Sequence, residues 1–356
     1  MNDSTPLQLG ILGLGEGRSI LSACQTSELA DAALLCDLNE DLCKQRCAES
    51  GVEHYTTSYE DMLSRPEIDA VAIYTPDPLH AQHVKMAAEA GKHVICTKPL
   101  FKGLSEAAEV KAAVEKAGVD VMVGQSCRFF ETFSRQADER DKVGSLLSVE
   151  AHYNGDKRKG TSGSWGKAGA VDWLYTGLSH PVDLVYWHLG RIRSVQAVGT
   201  LSPAGEGLGQ TAPDMLHVIL EAESGAVGRV SGCYGSPHAH PDSEPMIGCT
   251  LRGSAGTTQA WYPEFKYCLH TDEEGNVAYN DWHRHGYYFR WGGASHHAGE
   301  FQNYLEYFVK HLRAGTSPRP NLNDGIHVIS TLEAIGLALQ NGEKVEVPDI
   351  SSGENL

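Results

Sequence analysis

The chain has 356 residues, 41% of them apolar, and a formal net charge of −17. That length is long for a single core and comfortable for two domains. The charge excludes the basic surface that nucleic acid or an anionic membrane needs in order to release counterions, and it leaves small neutral molecules as the expected partners.

From the N-terminus to residue 124, apolar strand-like runs alternate with helical patterns, the signature of a doubly wound α/β unit. Strands are expected at 7–12, 32–37, 70–74, 93–96 and 119–123, with a shorter one near 53–56, and helices at 79–90 and 105–117. Gly91 falls where a helix C-terminal glycine belongs. After Gly124 the runs 147–153, 192–199, 216–221, 228–234, 247–252 and 257–261 read as strands of a largely antiparallel sheet. Helices are expected at 180–189, 300–314 and 326–339. The implied division is 1–124 and 125–356, with the C-terminal helix packing back on the first domain. The loops 154–170 and 236–245 are long and rich in Gly, Lys, His and Pro, which makes them candidates to cover a substrate. Residues 1–12 lack a leader's basic start, long apolar core and small-residue cleavage site, and no run nears the roughly 20 apolar residues of a membrane span, so a cytoplasmic location is expected. Nine cysteines without metal-type spacing read as reduced thiols. Cys43 and Cys47 share a helix face, but two thiols alone do not make a tetrahedral site.

The chemistry concentrates at the ends of the early strands. Gly13-Leu14-Gly15-Glu16-Gly17 follows the first strand, and Asp37 closes the second, 20 residues after Gly17. Small residues let the backbone approach a pyrophosphate, the helix N-terminus offers free N–H groups, and the acid accepts hydrogen bonds from a ribose diol. The third glycine of the usual fingerprint is Arg18, so either the helix start packs differently or the guanidinium is used on a phosphate. Asp37 repels a 2′-phosphate, and neither Leu38 nor Asn39 supplies a cation to offset it, so NAD is expected over NADP. Thr75, Pro76 and His80 follow the strand at 70–74 and are expected to line the cofactor. Thr97 and Lys98 end the next strand on the same edge, where a lysine beside a nicotinamide hydrogen-bonds a substrate hydroxyl and eases its deprotonation. Farther along, Thr176-Gly177-Leu178-Ser179-His180-Pro181-Val182-Asp183 opens a helix. His180 is the candidate base, since an imidazole accepts a hydroxyl proton near neutrality. For Asp183 two readings stand: it orients His180, or it caps the helix.

These pieces together resemble the Gfo/Idh/MocA oxidoreductase family, over nearly the whole chain. The matching segments are the Gly13 to Gly17 turn, Thr75-Pro76 with His80, Ala90 to Val94 leading to Lys98-Pro99, Arg128-Phe129, Gly177 to Asp183 with Gly190, and Asp324-Gly325. The resemblance implies an α/β Rossmann domain followed by an α+β domain with an open, mostly antiparallel sheet, and a homodimer or homotetramer formed through that sheet. It also assigns Lys98 to the lysine of the Glu-Lys-Pro motif and His180 to the catalytic histidine. Two positions depart from the pattern: the motif's glutamate is Thr97, and the aspartate often found four residues before the histidine is Thr176. Losing both carboxylates changes the electrostatics, because nearby anions favour protonated lysine and histidine.

The expected function is hydride transfer between NAD and a hydroxyl carbon of a sugar, glycoside or cyclic polyol. Substrate-facing candidates are Arg128, Tyr153, Trp165, Thr176 and Asp183. Two alternatives stay open. One is a redox-assisted glycosidase or lyase that holds NAD tightly and draws another acid, such as Asp156 or His238, from the long loops; the other is a non-catalytic sugar or cofactor sensor. The close pairs His238 and His240, His283 and His285, and His296 and His297 have no carboxylate or cysteine at a compelling spacing, so no metal is expected.

Overall fold

The structure is a computed structural model that describes residues 5–158, 172–237, 244–263, 265–280 and 299–349. The described residues form two units, one reaching Phe129 and resuming from 299 to Ile326, the other running from Phe130 to 280 and from His327 to 349.

The first unit holds six parallel strands: β1 (Leu7–Leu12), β2 (Ala30–Cys36), β3 (Tyr55–Thr56), β4 (Ala70–Ile73), β5 (His93–Thr97) and β6 (Val121–Gly124). Their order is β3-β2-β1-β4-β5-β6. The apolar runs are continuous because helices cover both faces of a parallel sheet. The order reverses at β1, which pairs with β2 on one side and β4 on the other. Ligands of such sheets bind outside the carboxyl ends of the strands at that point. Gly13 to Gly17, Asp37, Thr75 and Lys98 all follow carboxyl ends, so the topology collects them at one edge.

One segment of this unit comes from far along the chain. Helix Glu300–Arg313 buries Tyr304, Leu305, Phe308 and Val309 in the same core as Ile20, Leu21 and Ala23 of helix Arg18–Thr26. Asn303 Nδ2 donates to Phe129 O at 3.2 Å. The first unit thus runs on to Phe129 and takes in this helix from the 125–356 segment.

The second unit is built on β7 (Leu146–Asn154), β8 (Ile192–Thr200), β9 (Met215–Ala222), β10 (Val227–Cys233), β11 (Ile247–Gly253), β12 (Gly256–Tyr262), β13 (Lys266–Thr271), β14 (Gly275–Asn280) and β15 (Val345–Glu346). They form one sheet in the order β14-β13-β12-β11-β7-β10-β9-β8-β15, antiparallel throughout except for the parallel pair β7 and β10. In β9, buried Leu216, Val218 and Leu220 alternate with exposed His217 and Ile219, as a half-covered sheet requires. Helix Ser179–Leu189 packs on β7 and β10. Helix Glu131–Asp138 is tied down by Gln136 Nε2, which donates to Cys249 O at 3.1 Å and to Thr258 Oγ1 at 2.9 Å. The sequence reading did not include β13 to β15. Among the described residues no helix is long and apolar enough to cross a membrane, and all nine cysteines are free thiols.

Candidate active site

In the first unit the glycines of the turn are fixed by contact. A Cβ on Gly13, whose φ is +87°, would lie 2.6 Å from Tyr74 O, and one on Gly17 would lie 2.2 Å from Gly13 O. A Cβ on Gly15 would meet nothing within 4 Å, so the protein's own packing does not require that glycine. A pyrophosphate approaching the backbone does require it. Helix Arg18–Thr26 has no side-chain cap and no acid in its first turn, and Arg18 Nε is buried without a hydrogen-bond partner. A bare helix N-terminus with an unsatisfied guanidinium donor fits a dinucleotide phosphate. Glu16 is exposed on the turn.

Asp37 does two jobs for the fold. Its Oδ2 accepts from Leu14 N at 2.8 Å and its Oδ1 from Asn39 N at 2.9 Å, which ties the end of β2 to the glycine turn. A carboxylate has about four acceptor sites, so about two remain for a ribose diol. Past β4, Pro76 is exposed, while Thr75 Oγ1 lies 3.0 Å from His83 Nδ1. His80 differs from expectation. It is fully buried, with Nδ1 2.7 Å from Pro99 O and Nε2 2.8 Å from Thr75 O. The ring grips the turns after β4 and β5 from behind and has no edge left for a cofactor. Burial pushes its pKa down, against the pull of the two carbonyls and Asp77.

At the end of β5, Thr97 and Lys98 are half-buried. Across the sheet Thr97 pairs with Gly124, and a Cβ on Gly124 would lie 2.9 Å from Thr97 Cα, so β5 and β6 end shoulder to shoulder. Arg128 follows β6 and is 5% exposed, in the one-turn helix Ser126–Phe129. Gln125 stands between them and was absent from the sequence candidates. It is 2% exposed and its Oε1 has no partner.

In the second unit Asp172 caps the short helix Trp173–Thr176 by accepting from Leu174 N at 3.0 Å, and helix Ser179–Leu189 follows. His180 is 8% exposed and Asp183 1%. Thr176, half-buried, precedes His180 by one helical turn. Tyr153 stands edge-on to His180, with centroids 5.8 Å apart at 69°, and edge-on to Tyr234 at 5.6 Å. Tyr234 in turn stacks on Trp173 at 4.4 Å. A Cβ on Gly177 would lie 2.3 Å from Tyr234 Cζ, so the turn that delivers His180 is moulded on this ring. Sequence reasoning placed Tyr234 only at the end of a strand, since its contact with Gly177 is long-range. The Tyr234 hydroxyl is buried without a partner. Asp156 is held by Arg158 in a bidentate pair at 2.8 and 2.7 Å. Trp165, His238, and the pairs containing His240, His283, His285, His296 and His297 lie outside the described residues. Among the described residues no group of three or more His, Cys, Asp or Glu side chains is arranged to hold a metal.

Comparison with known proteins places both halves of the chain. A family model described as "Oxidoreductase family, NAD-binding Rossmann fold" matches residues 7–125, and one described as "Oxidoreductase family, C-terminal alpha/beta domain" matches residues 136–347. Several curated relatives are matched over part of their length, 25%, 53% and 45% in three cases. One of these is the 2,7-anhydro-N-acetylneuraminate hydratase of Escherichia coli, 30% identical over 200 residues, which make up 54% of this chain and 53% of that protein. The levoglucosan dehydrogenase of Pseudarthrobacter phenanthrenivorans is 24% identical over 97% of this chain and 99% of its own. A solved structure of a levoglucosan dehydrogenase with NADH and levoglucosan has the same fold, with a TM-score of 0.83 at 23% identity over 97% of this chain and 100% of that one. With both of its domains matched, and a Rossmann unit whose glycine turn and Asp37 fit NAD, the chain belongs to the Gfo/Idh/MocA oxidoreductase family.

Proposed function

We propose that the protein is an NAD-dependent dehydrogenase of a sugar, glycoside or cyclic polyol, with His180 as proton acceptor and Lys98 as its electrostatic partner. When bound, NAD supplies the hydride acceptor. His180 takes the hydroxyl proton while the C–H hydrogen leaves the same carbon with its electron pair, and the O–H electrons become the carbonyl π bond. Lys98 hydrogen-bonds the hydroxyl oxygen and stabilises the negative charge that develops there. Arg128, Tyr153, Thr176 and Asp183 are assigned to substrate contacts, and Gly13, Gly15, Gly17, Arg18, Asp37 and Thr75 to the cofactor.

The observation that carries the reading is the setting of His180, a nearly buried imidazole held edge-on to Tyr153 by a turn moulded on Tyr234. A fixed ring is what a general base needs. The redox-assisted reading needs a further acid to expel a leaving group, and Asp156 is committed to Arg158. The relatives that span the chain are named as dehydrogenases of levoglucosan and myo-inositol, which supports the substrate class. The reading includes a cytoplasmic homodimer or homotetramer. Nine free thiols support a reducing compartment, and Val198, Ile219 and Val227, exposed on one face of the large sheet, support assembly there. The test is His180→Ala, which should cut turnover about 10²-fold or more while leaving NAD affinity nearly intact. Wild-type turnover in that variant would remove the mechanism.

A further inference from the structure

Among the described residues of the first unit, one buried side-chain oxygen has no hydrogen-bond partner, and it is Oε1 of Gln125. Gln125 is 2% exposed. Buried amide oxygens are paired in the great majority of cases, so a bare one calls for a donor that the chain itself does not supply. Its backbone is fixed, with N donating to Val123 O at 2.7 Å.

The place of this acceptor in the sheet selects the donor. A dinucleotide that runs from Asp37 after β2 over Gly15 after β1 brings its nicotinamide to the β4, β5 and β6 side. Thr97 and Gly124 are the last pair of β5 and β6, so Lys98 and Gln125 are the residues that follow these two adjacent strand ends. On the nicotinamide ring the carboxamide is borne by C3 and the hydride is received at the adjacent C4. A group that holds the carboxamide therefore belongs one short step from the group that holds the substrate hydroxyl. We propose that Gln125 recognises the nicotinamide carboxamide, its Oε1 accepting a carboxamide N–H, and so fixes which way the ring faces beside Lys98. This rests on NAD as the cofactor and on Lys98 as the hydroxyl's partner.

Calorimetry with three probes tests it on wild type and Gln125→Leu: NAD, 3-acetylpyridine adenine dinucleotide, whose methyl ketone has no N–H, and ADP-ribose, which has no nicotinamide. Wild type should bind NAD about tenfold tighter than the acetylpyridine analogue, the scale of one hydrogen bond to a buried partner. Gln125→Leu should bind the two about equally, with ADP-ribose affinity unchanged in both proteins, which also reports that the variant is folded. Gln125→Met serves in the same way if the leucine protein does not fold. A variant that keeps the preference for NAD, or loses affinity for both dinucleotides alike, overturns the proposal. So does a variant whose only defect is a raised KM for the sugar. Failure of wild type to bind ADP-ribose would overturn the cofactor reading, and the role of Gln125 with it.

Discussion

Replacing Asp37 separates two functions that one carboxylate serves. In the fold it accepts from Leu14 N at 2.8 Å and Asn39 N at 2.9 Å. Hydrogen bonds to a charged acceptor are worth about 1.5–3 kcal/mol each when buried. Asp37 is half-buried, so water replaces part of both, and Asp37→Ala should cost about 1–2 kcal/mol of stability. Its remaining acceptor sites serve the ribose diol, and their loss should weaken NAD by about 1–3 kcal/mol, roughly 10- to 100-fold. Asp37→Asn divides the effects. It keeps one carbonyl oxygen for the turn but removes the charge, so stability should fall less, NAD should still weaken, and NADP should improve as repulsion of the 2′-phosphate disappears. Leu38 is 92% exposed and offers no charge to compensate. Thermal melts and calorimetry with both cofactors read the two effects separately. Tighter NADP than NAD in wild type would refute the reasoning, and so would an alanine variant that loses stability with NAD affinity unchanged.

Gly177→Ala should cost about 1–3 kcal/mol by overpacking against Tyr234 and should lower kcat more than it raises KM, because it displaces the turn that carries His180. Tyr234→Phe removes a buried hydroxyl that has no partner, and it should raise Tm in a thermal melt. His93 Nδ1 accepts from Asp120 N at 3.0 Å, and burial pushes its pKa below the ordinary 6.5 despite the opposing pull of Asp120 and Asp69. The unfolded chain therefore binds more protons below 6.5, and stability present above that value should fall as pH drops; melts across this range should show a shallower fall in His93→Gln. A Lys98→Met, His180→Ala double variant should be no slower than the poorer single, as steady-state kinetics would show for two groups acting on one hydroxyl.

The Rossmann half was legible because its signals are local. Strand periodicity, a glycine turn and an acid 20 residues on are all set by neighbours in sequence, and the strands fall at or near the expected positions. What the sequence concealed depends on distant partners. Helix Glu300–Arg313 has an ordinary amphipathic pattern, and nothing in it says that its stripe is buried beside Ile20 and Leu21. In β13 buried Tyr267 and Leu269 alternate with exposed Cys268 and His270, but β14 reads Gly-Asn-Val-Ala-Tyr-Asn, with few strand-forming residues, and the acidic Asp272 to Glu274 turn is the stronger signal. His80 matched a family position, yet its role is fixed by the Thr75 and Pro99 carbonyls, which only the folded sheet brings together. Gln125 and Tyr234 carry no motif, and burial without a partner is visible only in three dimensions.

The proposed reaction is net transfer of hydride to NAD from a sugar or polyol hydroxyl carbon. The direct measurement is the amount of NADH formed against the amount of substrate consumed, with purified protein, excess NAD and a panel of sugars, anhydrosugars and inositols. One NADH should form for each substrate oxidised to the ketone or lactone, and none in His180→Ala. Substrate consumed through many turnovers on a single equivalent of NAD, with no NADH accumulating and no added acceptor, would contradict it.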